Sequence, residues 1–477
     1  MLPRRSQVIL ILLVLLIPSL ASAGWMARIV SARATFAALA VGPDGNTHYI
    51  YTVKGTLAHR VLNAQGRTTA SEIFPGSYSP ASIAIDRNNH LHLLFSRGSD
   101  GQRRYGFFDG TTWSFQDIPI ATGCNNAPNI AVDANNLPHF ACLTNNYYAN
   151  PVLTHWSFDG QAWSSETVVG YSYSQYPPIW GYPANTSTPL RIAADGSIHI
   201  GFVNQTFPYS PDNFVCEAVK RENVWSSNCN ITPGGNTYLA MALDKNGNPH
   251  FCYYLNGLLY VHFDGANWSS QLIDSKAYDG AIVIGNDDLP RLLFVDRQKP
   301  RRPVAVYAAA TSDGWSAYGV AAAPDFQMYG SEADALALDP LGLPHGGLSV
   351  PVGGGYAVYG QLTLPDLTAT WDSITTGTLR KKFMVTAKLR VKNGGTATAT
   401  GFKVTYFLSD DDKLDKSDVQ IGKAAVSGIA VGKERVINFN YQPSAAVTGK
   451  YLIAQIEPKT PDQEATTDNN LATGEIP

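Results

Sequence analysis

The chain has 477 residues, which is enough for more than one domain, and its formal net charge is −3. This balance gives no support to a nucleic-acid partner, because such a partner requires a concentrated basic surface. Aromatic residues make up 11% of the chain, with 42 Gly and 29 Pro, as is typical of a turn-rich all-β protein. No sustained 3.6-residue pattern of apolar residues predicts helices.

Residues 1–23 are predicted to be a secretory leader. Arg4 and Arg5 supply a positive start, residues 8–17 are an unbroken apolar run, and Ala21-Ser22-Ala23 has the small residues of a cleavage site. The alternative, a membrane anchor, is disfavoured because ten apolar residues are too few to cross a bilayer. Gly24 is not the cysteine that a lipid anchor needs, and no later segment is long and apolar enough to span a membrane. We therefore expect a secreted, extracellular or cell-envelope protein.

A unit of four short apolar runs, separated by turn residues, recurs between residues 24 and 362. It is clearest in residues 243–273, where Asn246-Gly247-Asn248-Pro249 and Asp264-Gly265 form tight turns. Tight turns join only neighbouring antiparallel strands, so each unit predicts one four-stranded sheet. The second strand of each unit opens on an anchor residue, and the anchors are 41 to 60 residues apart: His48, His92, His139, His199, His250, Arg291 and His345.

Seven such units predict a seven-bladed β-propeller over residues 24–362, with six blades as the alternative because His48 and Arg291 are the weaker anchors. Five units begin their fourth strand with tryptophan: Trp113, Trp163, Trp225, Trp268 and Trp315. Residues 25–30 resemble such a fourth strand, whereas the seventh unit ends without one. We therefore predict that residues 25–30 pair in the blade of residues 335–362 and close the ring.

The column of anchor histidines also admits a metal-binding interpretation. One histidine per blade places neighbours a blade apart, whereas zinc ligands lie about 2 Å from a single ion. We therefore interpret the histidines as polar residues that close the first turn of each blade. The Asp-Gly pairs that precede Trp113, Trp163 and Trp268 are likewise interpreted as turn formers.

These Phe-Asp-Gly segments resemble the Asp-box (BNR) repeats of secreted bacterial propellers, whose form is Asp-x-Gly-x-x-Trp, although here Asp and Gly are adjacent. Sialidases carry such repeats, and the resemblance implies a propeller. Sialidase activity also needs an arginine cluster and a Tyr/Glu nucleophile pair. The nearest match to an Arg-Ile-Pro motif is Leu190-Arg191-Ile192-Ala193, and no carboxylate pair is placed by the sequence. The repeat therefore indicates a fold and not a reaction.

Function is expected on one face of the propeller, which we call the long-loop face. Because strands alternate in direction, the loops between second and third strands and the blade-to-blade connections all emerge on this face, and they carry the length variation. Aromatic and basic residues concentrate in residues 171–183, 204–209 and 297–302. The candidate ligand-binding residues are Tyr171, Tyr173, Tyr176, Trp180, Tyr182, Phe207, Tyr209, Arg297, Lys299 and Arg301.

Aromatic rings beside Asn and Gln suit the apolar faces and hydrogen-bonding rims of sugars, so the sequence predicts a glycan-binding platform. The basic loop suggests an acidic glycan or surface polymer. Two alternatives stay open at this point. One alternative is that the rings pack on one another to cap a blade edge, and the other is that the basic loop is an ordinary solvated loop.

Five cysteines fit an oxidising compartment. Cys216 and Cys229 flank the turn at Glu222-Asn223 symmetrically, so the hairpin register predicts a disulfide between them. The other three are Cys124 and Cys142, candidates for a second disulfide, and Cys252, expected to be a buried thiol.

From residue 363 the anchors stop, and strands predicted at 383–392, 402–409, 436–441 and 451–457 suit a seven-stranded sandwich over residues 363–477. The motifs of this segment are Pro365-Asp366-Leu367, Val391–Ala397, Tyr406–Asp410, Asp415, Asp418, Ile421-Gly422, Gly449–Ala454, Glu464 and Asn469-Asn470. Residues 364–474 thereby resemble CARDB, the cell-adhesion-related domain of bacterial surface and secreted proteins. The resemblance implies an immunoglobulin-like fold and an accessory role in attachment or display, without catalytic residues.

An acidic loop of this segment holds five candidate calcium ligands: Asp410, Asp411, Asp412, Asp415 and Asp418. Calcium takes six to eight oxygen ligands, and ordinary Asx-turns are the favoured alternative. We expect no other cofactor.

Together these features favour a secreted, non-enzymatic, monomeric protein that binds an extracellular glycan or a cell-surface protein. One alternative is a glycoside hydrolase or lyase of sialidase-like architecture, and another is a structural envelope protein. Two carboxylates about 5–10 Å apart across a central pocket would favour the hydrolase.

Overall fold

The computed structural model describes residues 24–477 except for residues 77, 99, 121–123, 125–126, 145–151, 171–186, 206–212, 234–238, 298–302, 323–333, 351–354, 380–381 and 459–468. The predicted leader, residues 1–23, therefore lies outside the described residues. The described part consists of β-strands, turns and loops without an α-helix, which confirms the all-β fold class. Its residues include no helix that is long and apolar enough to cross a membrane. The chain divides into two compact units, residues 26–361 and residues 362–477.

The sheets of the first unit are built from thirty described strands. The first fifteen are β1 (Gly24–Ala32), β2 (Ala34–Val41), β3 (Thr47–Val53), β4 (Thr56–Leu62), β5 (Thr68–Ile73), β6 (Tyr78–Ile85), β7 (Leu91–Arg97), β8 (Arg103–Phe108), β9 (Trp113–Asp117), β10 (Ala127–Pro128), β11 (Ile130–Val132), β12 (Pro138–Thr144), β13 (Val152–Phe158), β14 (Trp163–Gly170) and β15 (Ser187–Thr188). The next fifteen are β16 (Leu190–Ile192), β17 (Ile198–Gln205), β18 (Asn213–Arg221), β19 (Val224–Pro233), β20 (Leu239–Leu243), β21 (Pro249–Tyr254), β22 (Leu258–Phe263), β23 (Trp268–Asp274), β24 (Ala277–Ile284), β25 (Pro290–Asp296), β26 (Val304–Thr311), β27 (Gly314–Ala322), β28 (Leu336–Leu338), β29 (Pro344–Val350) and β30 (Tyr356–Thr363).

Within the described residues these strands form seven four-stranded sheets. Six are made of strands consecutive in the chain, from β2-β3-β4-β5 to β24-β25-β26-β27, and the seventh has the order β28-β29-β30-β1. The N-terminal strand β1 thus pairs beside β30, as the sequence predicts. The first strands of successive sheets (β2, β6, β11, β16, β20, β24 and β28) contact one another in turn, and β28 contacts β2. The sheets therefore surround a common axis, in the manner of a β-propeller.

Aspartates build the tight turns that the repeat predicts. In the fifth sheet, Asp244 Oδ1 accepts the backbone N–H groups of Asn246 at 2.9 Å and Asn248 at 2.7 Å. Gly247 has a φ of 79°, a conformation that favours glycine. The third-to-fourth turn of the same sheet uses Asp264, whose Oδ1 accepts two further backbone N–H groups. Side-chain acceptors therefore satisfy the backbone donors that each reversal exposes.

The apolar core of this unit lies between neighbouring sheets. One cluster joins Ala240 and Leu258 of the fifth sheet to Ile282, Leu292 and Phe294 of the sixth. Burying such side chains contributes about 1.5–3 kcal/mol each. The sheets are thus held face to face, and the first strand of each sheet lies nearest the axis.

One feature departs from the predicted antiparallel pattern. The short strands β10 and β15 pair in parallel, with Ala127 opposite Ser187 and Pro128 opposite Thr188. Each leads directly into the innermost strand of its own sheet, and those innermost strands all start from the same face. Two neighbouring entry segments therefore run side by side in the same direction.

The second unit is the predicted seven-stranded sandwich. Its strands are β31 (Leu367–Leu379), β32 (Lys382–Asn393), β33 (Ala399–Ser409), β34 (Val419–Ile429), β35 (Glu434–Tyr441), β36 (Tyr451–Glu457) and β37 (Leu471–Glu475). They form a three-stranded sheet of order β31-β32-β35 and a four-stranded sheet of order β34-β33-β36-β37. Leu389, Phe402, Tyr406 and Ile456 pack in the core between them.

Both predicted disulfides are present. Cys216 and Cys229 are bonded with Cα atoms 4.3 Å apart, and Cys124 and Cys142 are bonded with Cα atoms 5.5 Å apart. The hairpin register runs regularly as far as Glu217 opposite Asn228 and shifts just beyond it, so the first disulfide lies at a β-bulge. Cys252 is buried and takes part in neither bond.

Candidate functional site

Arg297 is the predicted ligand-binding residue that the structure describes. The other nine, which are Tyr171, Tyr173, Tyr176, Trp180, Tyr182, Phe207, Tyr209, Lys299 and Arg301, lie outside the described residues. Their assignment to a glycan platform stays a prediction. The described surroundings of Arg297 therefore define what the structure shows of the long-loop face.

Three side chains from two neighbouring sheets meet on this face. Tyr254 ends β21, the second strand of the fifth sheet, while Tyr278 lies at the start of β24, the first strand of the sixth. Arg297 directly follows β25, the second strand of that sixth sheet. The ends of second strands and the starts of first strands point to the same face, so strand direction alone brings these residues together.

The three side chains form a stack, which we call the Tyr-Tyr-Arg stack. The rings of Tyr254 and Tyr278 lie 4.3 Å apart between centroids and are 15° from parallel. The guanidinium carbon of Arg297 lies 4.6 Å from the centre of the Tyr278 ring. Tyr278 is therefore in contact with both Tyr254 and Arg297. Such cation–π contacts contribute about 0.5–1 kcal/mol at exposed sites.

The stack combines a rigid arrangement with access to solvent. Tyr278 remains 37% exposed although its ring contacts both Tyr254 and Arg297. The Tyr254 hydroxyl donates a hydrogen bond to the Tyr278 hydroxyl at 3.3 Å. This hydrogen bond, followed by burial, raises the pKa of Tyr254 above its ordinary value. The stack thus offers ring edges, hydroxyl groups and guanidinium N–H donors, held in place before any ligand arrives.

The charge of Arg297 is uncompensated within the part of the chain that the structure describes. A contrasting group lies on the second sheet, where Arg97 contacts Asp100 at 2.6 Å and Arg104 contacts Asp117 at 2.7 Å. Those arginines are neutralised by neighbours on the same surface. The backbone N–H of Arg297 donates to the Lys276 carbonyl at 3.2 Å. Its guanidinium has no ion pair of the kind made by Arg97 and Arg104 among the described residues. Its guanidinium is therefore suited to an anionic or hydroxylated ligand.

Tyr254 and Tyr278 are not among the ligand-binding residues predicted from the sequence. Both occur in apolar strands and resemble ordinary core aromatics. The available signal was their position, because each lies at the strand end that opens onto the long-loop face. Their contact joins residues of two different sheets, and this depends on how the sheets pack.

The anchor histidines make hydrogen bonds within their own sheets, and their Nδ1 atoms bond to the third strand and not to the first turn that the sequence interpretation gave them. Each Nδ1 bonds to a residue of the third strand: His48 to His59, His92 to Tyr105, His139 to His155, His199 to Glu217, His250 to Tyr260 and His345 to Tyr359. Burial lowers the pKa of His48 and of His250 to about 4. Neutral buried imidazoles of this kind link the second and third strands of a sheet by hydrogen bonds. Among the described residues, no three His, Cys, Asp or Glu side chains are grouped to hold a metal ion.

The fourth sheet contains a variant of this network that resembles a catalytic triad. Ser197 Oγ lies 2.9 Å from His199 Nε2, and His199 Nδ1 lies 2.7 Å from Glu217 Oε1. However, Ser197 Oγ also donates to Asp195 Oδ1 at 2.6 Å. Ser197, His199 and Glu217 are each less than a tenth exposed, so a substrate does not reach them. Since the same positions form structural networks in the other sheets, we assign this group to the fold.

In the second unit the predicted calcium candidates form local turns. Asp415 Oδ1 accepts the Ser417 N–H at 2.7 Å, and Asp418 Oδ2 accepts the Asp415 N–H at 2.8 Å. Asp410 pairs with Lys450 at 2.5 Å. These contacts are those of the Asx-turn alternative. Calcium binding by this loop, including Asp412, stays a prediction.

Comparison with known families identifies the C-terminal segment. The CARDB family model matches residues 364–474, so a CARDB domain is present there. The Asp-box resemblance of the propeller repeats is not confirmed by a family match. No curated protein matches the chain.

Solved structures with similar arrangements come from several sources. A Dyadobacter fermentans protein of unknown function has 9% identity, covers 63% of this chain and 99% of its own, and gives a TM-score of 0.39. A polysaccharide lyase, an ulvan lyase bound to a glucuronate-containing saccharide, has 10% identity, coverages of 69% and 95%, and a TM-score of 0.44. A Pyrococcus furiosus CARDB domain in complex with di-metal ions has 21% identity, coverages of 24% and 87%, and a TM-score of 0.19.

Proposed function

We propose that this chain is an extracellular, non-catalytic binding protein whose propeller recognises a glycan through the long-loop face. The observation that carries the proposal is the Tyr-Tyr-Arg stack of Tyr254, Tyr278 and Arg297. It supplies rigid aromatic surface next to a guanidinium without an ion pair among the described residues. A surface with convergent aromatic and polar groups is the default candidate for a binding site.

The chemistry of the stack favours a sugar over a protein helix or nucleic acid. Tyrosine hydroxyls and guanidinium N–H groups bond to the hydroxyl rims of sugars, and ring surfaces pack on their C–H faces. Nucleic acid is disfavoured because the chain carries 35 basic against 38 acidic residues. We expect the sequence-predicted aromatic residues, Trp180 foremost, to extend the same surface.

An extracellular location agrees with three further features. Two disulfides are formed, and disulfides persist in oxidising compartments. The CARDB domain at residues 364–474 belongs to an adhesion-related family, so we assign it an accessory role in attachment or display. The predicted leader of residues 1–23 fits the same location.

A glycan array tests the function. The purified protein is expected to bind a subset of immobilised polysaccharides, and Arg297→Ala is expected to weaken that binding. Arg87→Ala is the matched control, because Arg87 is an exposed arginine of a first-to-second-strand turn on the opposite face. Absence of binding to every glycan, or equal weakening by both variants, would contradict the proposal.

A further inference from the structure

A single arginine interrupts a column of small residues on the innermost strands. In each sheet one first-strand residue lies opposite the anchor residue, as Ala84 lies opposite His92 and Arg191 opposite His199. The equivalent residues of the other sheets are all apolar: Ala40, Ala131, Ala242, Val283 and Ala337. Only the fourth sheet places a charged side chain at this position next to the propeller axis.

Arg191 lacks a carboxylate partner among the residues that the structure describes. Its Nη1 donates to the carbonyl of Leu190, the preceding residue, at 2.9 Å. Burial lowers the pKa of Arg191, and the charge of Asp334 acts in the opposite direction. A guanidinium has five N–H donors, so most of its hydrogen-bonding capacity is left for solvent or a ligand.

The negative charge of Asp334 acts on Arg191, but the hydrogen bonds of the Asp334 carboxylate are made with other residues. Asp334 lies two residues before β28 of the seventh sheet, whereas Arg191 belongs to the fourth sheet, and these two sheets are not neighbours in the ring. Its Oδ2 accepts hydrogen bonds from Ser82 Oγ at 2.5 Å and from the Ile83 N–H at 3.2 Å. Its Oδ1 accepts from Asn129 Nδ2 at 3.4 Å. Donors of the second and third sheets thus fix this carboxylate away from direct pairing with Arg191.

We propose that Arg191 anchors an anion-binding site on the propeller axis that takes one carboxylate, sulfate or phosphate group. The planar guanidinium matches two oxygens of such a group, and bidentate pairs of this kind are among the strongest hydrogen bonds in proteins. The nearby negative charge of Asp334 opposes the accumulation of further negative charge, so we expect at most one anionic group to bind.

The source of this group is either a free inorganic anion or an acidic sugar. Both present the same oxygens to Arg191. The site is distinct from the Tyr-Tyr-Arg stack, which lies on the fifth and sixth sheets, and it does not depend on the proposed glycan function. An acidic sugar at the axis would add a second, independent point of contact.

Titration calorimetry of the purified protein tests the site, with sodium sulfate, phosphate and glucuronate as separate probes at constant ionic strength set with chloride. We expect at least one probe to bind the wild-type protein and its affinity to fall at least tenfold in Arg191→Met. Arg191→Lys keeps the positive charge but loses the planar guanidinium that can bind two oxygens at once, so we expect an intermediate affinity. Arg87→Met, which alters an exposed arginine far from the axis, is expected to bind as the wild type does.

The probe that binds identifies the class of anion that the site accepts. Binding of sulfate or phosphate alone assigns the site to small inorganic anions, and binding of glucuronate assigns it to acidic sugars. Circular dichroism checks that each variant folds; if Arg191→Met does not fold, the comparison rests on Arg191→Lys. Failure of all three probes to bind the wild-type protein, or equal affinities in the wild type and the folded Arg191 variants, would overturn the proposal.

Discussion

Lowering the pH from 7 to 5 is expected to destabilise the propeller, because its buried imidazoles resist protonation whereas the same histidines in the unfolded chain take up protons. Burial lowers the pKa of His48, His155 and His250 to about 4. Histidine in an unfolded chain has a pKa of about 6.5. Between these values the unfolded chain binds more protons than the folded one, so the free energy of unfolding falls as the pH falls through this window.

The size of the effect follows from proton linkage. A histidine whose pKa moves from about 6.5 to about 4 on folding loses roughly 2 kcal/mol of stabilisation between pH 7 and pH 5. Three such residues together lose roughly 5 kcal/mol, which is comparable with the whole stability of a typical domain, about 5–15 kcal/mol. Carboxylates contribute little in this window, because their pKa values in unfolded chains lie near 4.

Denaturant unfolding at pH 7, 6 and 5, followed by tryptophan fluorescence, measures the effect. His48→Gln removes one titrating group, so we expect it to be less stable at pH 7 and to show a weaker dependence on pH. His90→Gln is the control, because the side chain of His90 is 30% exposed. An unfolding midpoint that stays constant from pH 7 to pH 5 would refute the reasoning.

Three further predictions concern packing, a disulfide and a loop. Gly347→Ala is expected to lower the free energy of unfolding by about 1–3 kcal/mol, because a Cβ at this position overlaps the buried ring of Phe36. Replacing both Cys216 and Cys229 by serine is expected to lower it by roughly 3 kcal/mol on a chain-entropy basis, as chemical denaturation would measure. Trp180→Ala is expected to leave the melting temperature nearly unchanged while weakening retention on a bound polysaccharide.

Each of these three predictions has a control or a result that would contradict it. Gly319→Ala is the control for Gly347, since a Cβ there meets only Val304 at an ordinary 3.6 Å, and equal effects of the two substitutions would count against the packing argument. Alkylation of Cys216 in the native, unreduced protein would disprove the disulfide. Unfolding of the propeller by Trp180→Ala would show that this ring caps a blade edge and is not a binding platform.

Much of the fold could be predicted from the sequence because its signals are local. Asp244 and Gly247 specify one reversal, and the interval between anchors such as His199 and His250 repeats that reversal along the chain. The pairing of the N-terminal strand followed from one surplus strand and one missing strand. Such inferences need only turn chemistry and counting.

The candidate site could be predicted only in part, because it depends on how separate sheets pack. The position of Arg297 on the long-loop face followed from strand direction. Its contact with Tyr278, and that of Tyr278 with Tyr254, arise where two sheets meet. The approach of Arg191 and Asp334, far apart in the chain, requires closure of the whole ring. No local pattern encodes these distances.

Binding of a glycan by the Tyr-Tyr-Arg stack is best tested by the affinity of Tyr278→Ala for the polysaccharide selected on the array. Removal of an aromatic residue at a binding hot spot commonly costs about 2 kcal/mol or more, equivalent to roughly a thirtyfold loss of affinity. We expect Tyr278→Ala to lose affinity to this extent with little change in melting temperature, because Tyr278 is 37% exposed. Unchanged affinity in a folded Tyr278→Ala variant would contradict it.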